Sequence, residues 1–181
     1  MKQYQPGDTV LYGVHGICKV EEKDFRDFGG QKKEYYVLKP VYAPDSTFFV
    51  PVDNEELVDK MRRILSGGEI KRLIQEMPDQ NSCWIEEEQA RKERYQQILS
   101  GGDRTELIKM IKALYFHKKE QQKNGKRLHI HDERFMKDAE NMLYEEFAYV
   151  LKIRKEQVLP FIMEQVQIEE KQNFPAAENA D

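Results

Sequence analysis

Hydrophobic residues recur at one spacing before Asn54 and at another after it. In the first stretch they form short runs: Thr9-Val10-Leu11-Tyr12, Gly16-Ile17-Cys18-Lys19-Val20, Glu34-Tyr35-Tyr36-Val37-Leu38-Lys39 and Thr47-Phe48-Phe49-Val50-Pro51-Val52. These have the length and texture of β-strands. Gly7-Asp8, Gly13, Gly29-Gly30 and Pro44-Asp45 stand between them, where turns need residues that tolerate unusual backbone angles. Strands so closely spaced predict a small barrel, with one face of each strand inside and any strand at an opening left available to a partner. Alternation makes Val10, Tyr35, Val37 and Val50 candidate core. A last strand is expected around Met61–Leu65.

Beyond that strand the period becomes helical. Ser66 and Glu69 have the spacing of a capping box ahead of the amphipathic Ile70-Lys71-Arg72-Leu73-Ile74. Met77-Pro78-Asp79-Gln80-Asn81-Ser82 is polar and aperiodic, the pattern of a linker. Helices are then predicted over Ile85–Leu99, stopped by Ser100-Gly101-Gly102, and from Asp103 through Leu107, Met110, Ile111, Leu114 and Tyr115. A third carries Phe135, Ala139, Met142, Leu143, Phe147, Val150 and Leu151. A fourth starts near Arg154, with Pro160 in its first turns, where a missing amide does least harm. The expected fold class is α+β in two domains: a β domain over 1–66, a short helix and linker over 67–83, a helical domain over 84–170 and a disordered tail over 171–181.

The net charge of -4 sets a repulsive long-range field for phosphate, so any nucleic-acid contact has to be local. No apolar run approaches the roughly 18 residues needed to span a bilayer, and Met1-Lys2-Gln3-Tyr4-Gln5 has no apolar signal core, so a cytoplasmic location is expected. Cys18 and Cys83 lie far apart and outside metal-ligand spacing, which predicts reduced thiols, no metal and no cofactor. Catalytic patterning is missing too: there is no glycine-rich phosphate loop or nucleophile elbow, and His129 and His131 would point to opposite sides of an extended chain. A non-enzyme is expected.

Three strings carry a family likeness: Pro6-Gly7-Asp8-Thr9-Val10-Leu11-Tyr12 with His15-Gly16, then Gly30-Gln31-Lys32-Lys33-Glu34-Tyr35-Tyr36-Val37-Leu38-Lys39, then Phe48-Phe49-Val50-Pro51-Val52. Together they resemble the amino-terminal domain of CarD-like bacterial transcription regulators, a module also found in transcription-repair coupling factors. The resemblance implies a Tudor-like β-barrel whose exposed strand pairs with the β subunit of RNA polymerase by strand addition. It places Arg26 against acidic groups of the polymerase and Phe48, Phe49 and Val50 on the partner-facing strand. At Phe49 better-known members carry arginine, so apolar contact here replaces an ion pair.

The same resemblance extends to the helical part, through Trp84 and Ser100-Gly101-Gly102-Asp103, and implies weak, polymerase-dependent contact with promoter DNA that alters open-complex stability. Two readings of Trp84 stand: a wedge at the edge of unwound promoter DNA, and a core residue sharing a stripe with Tyr95 and Ile98. Glu86-Glu87-Glu88, directly after it, opposes phosphate. Arg91, Lys92 and Arg94 are candidate phosphate contacts, as is the cluster of Lys118, Lys119, Lys123, Lys126 and Arg127. The expected regulator works as a monomer. The competing reading is a polymerase-binding or protein-binding adaptor without DNA contact.

Overall fold

The computed structural model describes residues 3–77 and 84–173. Five strands come first: β1 (Thr9–Tyr12), β2 (Ile17–Asp27), β3 (Lys32–Pro40), β4 (Phe48–Pro51) and β5 (Met61–Arg63). They form one antiparallel sheet in the order β4-β3-β2-β1-β5. Tyr36 sits opposite Val50, Leu38 opposite Phe48, Cys18 opposite Pro40 and Val10 opposite Cys18. Since opposed residues in a ladder share a face, this register collects Val10, Cys18, Val20, Tyr36, Leu38 and Val50 on one side. Met61, from the far edge strand, joins the same cluster. The sheet is therefore rolled around a common core, although β4 and β5 are not paired with each other among the described residues.

Two features depart from the expected β pattern. Strand β2 continues from Val20 to Asp27 past an irregularity between Val20 and Glu22. The extension is Glu21-Glu22-Lys23-Asp24-Phe25-Arg26-Asp27, a charged run that overhangs the core and so shows no hydrophobic alternation. Between β4 and β5 lies α1 (Glu55–Asp59), capped by the Asn54 side chain accepting from the Leu57 N–H. Five residues are too few to display a helical period.

The remaining helices are α2 (Gly67–Glu76), α3 (Glu88–Gly101), α4 (Arg104–Lys123), α5 (Ile130–Leu151) and α6 (Val158–Asn173). The capping box at Ser66 and Glu69 is formed in full. Gly102 ends α3 in a left-handed conformation (φ 60°), its N–H donating to the Ile98 carbonyl, and Asp103 at once caps α4 through the Glu106 N–H. One core packs Tyr95, Ile98 and Leu99 of α3 against Leu107, Met110 and Leu114 of α4 and Ala139 and Met142 of α5. A second core sets Ile70 and Ile74 of α2 against Leu143 and Phe147 of α5 and Val158 and Ile162 of α6. Burying each isoleucine of α2 contributes about 1.5–3 kcal/mol, so this helix is held by the helical body. Of the expected linker, Met77 serves as the carboxy-terminal cap of α2, and residues 78–82 lie outside the described residues. Where a disordered tail was expected from residue 171, α6 continues to Asn173, and 174–181 lie outside the described residues. No described helix is long and apolar enough to cross a membrane.

The sheet and the helices meet along the amino-terminal turns of β2 and along α5. Gly16 has φ 74°, a conformation that favours glycine, and a Cβ there would stand 2.1 Å from Glu145 Oε2, so the α5 side chain would have to swing aside for any larger residue. Thr9 and Tyr149 share a hydroxyl–hydroxyl hydrogen bond of 3.2 Å.

Candidate functional site

Strand β4 is an edge. The Val52 N–H donates to the Glu34 carbonyl at 2.9 Å, and hydrogen-bonding direction alternates along a strand. Val50 therefore points its backbone groups at β3, while the N–H and C=O of Phe49 face away from the sheet. Pro51 takes the next outward position. Having no N–H to leave unpaired, it suits an edge.

Side chains follow the opposite logic. Val50, expected on the partner-facing strand with a core side chain, has that side chain fully buried in the sheet core, opposite Tyr36, so the side chain itself is not offered to a partner. Phe48 is part-buried against the same core, its ring 4.2 Å from His15 and 6.0 Å from Tyr12. Phe49 is 41% exposed. Phe28, from the β2–β3 turn, meets Phe49 and Tyr35 edge-on, each at 5.2 Å. Three rings thus form an apolar lip beside the outward backbone of Phe49. Sequence reading missed Phe28, which follows a charged strand and precedes two glycines, so no periodicity marks it.

Arg26 is already engaged. Its Nη2 bonds Glu22 and lies 3.2 Å from Asp24, residues that share its face of β2. The guanidinium is laid along the sheet and partly screened by the chain's own carboxylates, with Nε buried and unpaired.

A second polar assembly joins the sheet to the helices. Glu146 of α5, fully buried, receives Nε and Nη2 of Arg104 at 2.9 and 2.7 Å and the backbone N–H of Leu65 at 2.8 Å. The Arg104 Nη2 also donates to the Arg63 carbonyl at 2.9 Å. Arg63 in turn makes two bonds to Glu69, at 2.5 and 2.9 Å. The bond from Arg63, reinforced by Ser66, holds the Glu69 carboxyl far below the usual range. A buried carboxylate needs hydrogen-bond donors to offset its lost hydration, and here the donors come from both parts of the chain.

In the helical body, Trp84 precedes α3 and is half-buried against the core that includes Tyr95, Ile98 and Phe135. Its ring is stacked on His117 of α4, with centroids 3.6 Å apart and planes 8° from parallel. The Arg91 guanidinium carbon lies 4.4 Å from the same ring. Arg91, expected on a phosphate-facing surface, is instead buried at 6% exposure. Its Nε and Nη2 bond the two oxygens of Asp132 at 3.1 and 3.0 Å, and Nη1 donates to the carbonyls of Ile85 and Glu86. With four of its five N–H donors engaged inside the protein, this buried guanidinium is not presented to phosphate.

The other cations differ in kind. Lys92 pairs with Glu88 and Arg94 with Glu106, both at 2.5 Å on the surface, where such pairs are weak and exchangeable. Glu87 does not project freely: its oxygens cap α3 by accepting from the Gln89 and Ala90 N–H groups. Lys118, Lys119 and Lys123 stand on the last turns of α4 and Lys126 and Arg127 in the loop beyond, and none of the five forms a salt bridge among the described residues. They bring local positive charge to one end of the α4–α5 hairpin, with Lys119 over the exposed Tyr115 ring at 5.5 Å. His129 serves as the cap of α5, accepting from the His131 N–H.

Residues 4–65 match the family model of the CarD-like/TRCF RID domain, and the matched span ends at Leu65, just ahead of the Ser66 cap of α2.

Proposed function

We infer that this chain, which carries a CarD-like RNA polymerase-interacting domain over residues 4–65, is a non-enzymatic transcription regulator that adds its β4 edge to a strand of the polymerase β subunit. In this reading the domain is a small Tudor-like barrel, and the chain works as a cytoplasmic monomer. Its helical body reaches promoter DNA and changes the stability of the open complex. The observation that carries the reading is the outward N–H and C=O of Phe49 beside the Phe28–Phe49–Tyr35 lip. Main-chain bonds to that edge supply affinity, and the lip offers apolar area to the incoming strand. Because Glu22 and Asp24 occupy Arg26, the cation contributes to partner choice only by exchanging one set of carboxylates for another.

Proline at the edge is the discriminating change. Phe49→Pro removes an N–H that β3 does not use, so the fold survives while retention on purified polymerase is lost. Phe49→Ala, which keeps the backbone donor, weakens retention only in part. Equal retention of the parent and Phe49→Pro would refute docking through this edge.

A second reading, an adaptor that does not touch DNA, draws support from the burial of Arg91 and the intramolecular pairing of Lys92 and Arg94. Footprinting of a promoter with polymerase separates the two. The regulator extends protection at the upstream edge of the unwound region, and joint replacement of Lys118, Lys119 and Lys123 by glutamate shortens it. An adaptor leaves the footprint unchanged.

A further inference from the structure

The rolled sheet ends in two edge strands, β4 and β5, and only one of them offers its backbone. At β4 the N–H and C=O of Phe49 face away from the sheet. At β5 the outward groups follow from the same alternation along a strand. The Tyr12 N–H donates to the Gly16 carbonyl at 2.9 Å, on the β2 side of β1. Leu11 therefore turns its backbone groups toward β5, where it stands opposite Arg62. Arg62 faces β1 in return, and the carbonyls of Met61 and Arg63 face out. Both are taken by side chains. The Tyr4 hydroxyl donates to the Met61 carbonyl at 2.6 Å, and Nη2 of Arg104, from α4, donates to the Arg63 carbonyl at 2.9 Å. A strand arriving here would leave its own N–H groups without acceptors, which disfavours pairing.

We propose that β5 is a second strand-docking surface, held shut within the chain by Tyr4 and Arg104, and that the partner it fits once open is β4 of a second copy. The fit is one of matched positions. Outward residues fall two apart on each strand, Phe49 and Pro51 on β4 and Met61 and Arg63 on β5. The Phe49 N–H of one copy would thus meet a carbonyl that Tyr4 or Arg104 holds in the closed chain. Such pairing is heterologous, because a copy that lends its β4 still has β5 to offer, so it builds rings or filaments. With β5 shut, each chain takes up a single strand, and β4 is kept for the polymerase. Arg104 also binds the buried Glu146 of α5, so half of the seal on the sheet is supplied by the helical body. The proposal rests on the reading of β4 as an open docking edge.

The test uses the full chain. Tyr4→Phe removes the hydroxyl and keeps the ring, which stands edge-on to Tyr36 with centroids 5.9 Å apart. Arg104→Lys keeps a cation for Glu146 but loses the fork that reaches the Arg63 carbonyl at the same time. In sedimentation velocity at rising concentration the parent runs as a monomer, while the double variant assembles into species larger than a dimer. Each single variant assembles about fivefold more weakly than the double, the net worth of one hydrogen bond. Adding Phe49→Pro to the double variant returns it to the monomer. A double variant with unchanged circular dichroism that stays monomeric overturns the proposal. So does assembly that survives Phe49→Pro, since β4 is then not the partner, and so does a parent that assembles as readily as the variants. If Arg104→Lys fails to fold, Tyr4→Phe decides by itself, through the presence or absence of assembly. Polymerase docking is judged separately. If Phe49→Pro abolishes assembly of the double variant yet leaves polymerase retention intact, the β5 proposal stands and docking on polymerase through β4 falls.

Discussion

At the scale of single residues, burial decides what chemistry a side chain keeps. Cys18 is fully buried in the sheet core, and burial, then the charge of Glu145, push its thiol up to about 12. In the unfolded chain a thiol ionises near pH 8.5 or so. The folded protein thus holds its full stability from this group below that pH and loses it as the pH rises toward 12. Tyr95 and Tyr144, also raised to about 12 by burial, add their share only once phenols ionise in the unfolded chain. Urea unfolding at pH 9 to 10 should therefore show a falling stability that Cys18→Ala flattens. An unchanged slope would mean the thiol is not held protonated. Residue roles were the least legible part of the sequence. Arg91 and Arg94 look alike in a charged stretch, but only Arg91 faces a partner 41 positions away, Asp132, and no local pattern announces such a pair. Trp84 sits at the edge of the stripe its spacing suggested, although it precedes α3 and its ring is stacked on His117, which no local spacing links to it.

Elements were read more faithfully than residues, because caps and periods are local. The Ser66–Glu69 box lies where its spacing placed it, and Gly102-Asp103 both stops α3 and starts α4. Ser66→Ala removes the acceptor for the Glu69 N–H and part of what orients Glu69 toward Arg63. The expected cost is about 1 kcal/mol, read as a lower urea midpoint with unchanged slope. A loss no larger than that of an exposed control such as Ser46→Ala would show that the cap is idle. The elements that escaped were those without a period: the overhanging half of β2, written in charges, and the five-residue α1. The edge status of β4 was anticipated from the family resemblance, but which backbone groups face outward follows only from the register of Val52 on Glu34.

On the scale of the whole molecule, Glu146 decides whether sheet and helices move as one. An amide in place of this buried carboxylate keeps one acceptor oxygen, sets an NH2 donor where the other oxygen stood, and so forfeits much of the hold on Arg104 and Leu65. Glu146→Gln should cost about 3 kcal/mol, the scale for breaking a buried pair, and faster amide exchange should appear first at Leu65 and along β5. Exchange rising uniformly over the chain instead would mean the contact has no special place in joining the parts. Long-range assemblies of this kind lie outside sequence reasoning, since Arg63, Arg104 and Glu146 are each ordinary surface-type residues until the fold brings them together. There is a practical corollary for dissecting the protein. Scissors applied at Leu65, where the matched family domain ends, would sever a backbone amide from the acid that holds it, leaving one fragment with a frayed end and the other with a buried acid one donor short. Pieces made that way would understate both the sturdiness and the teamwork of the intact chain.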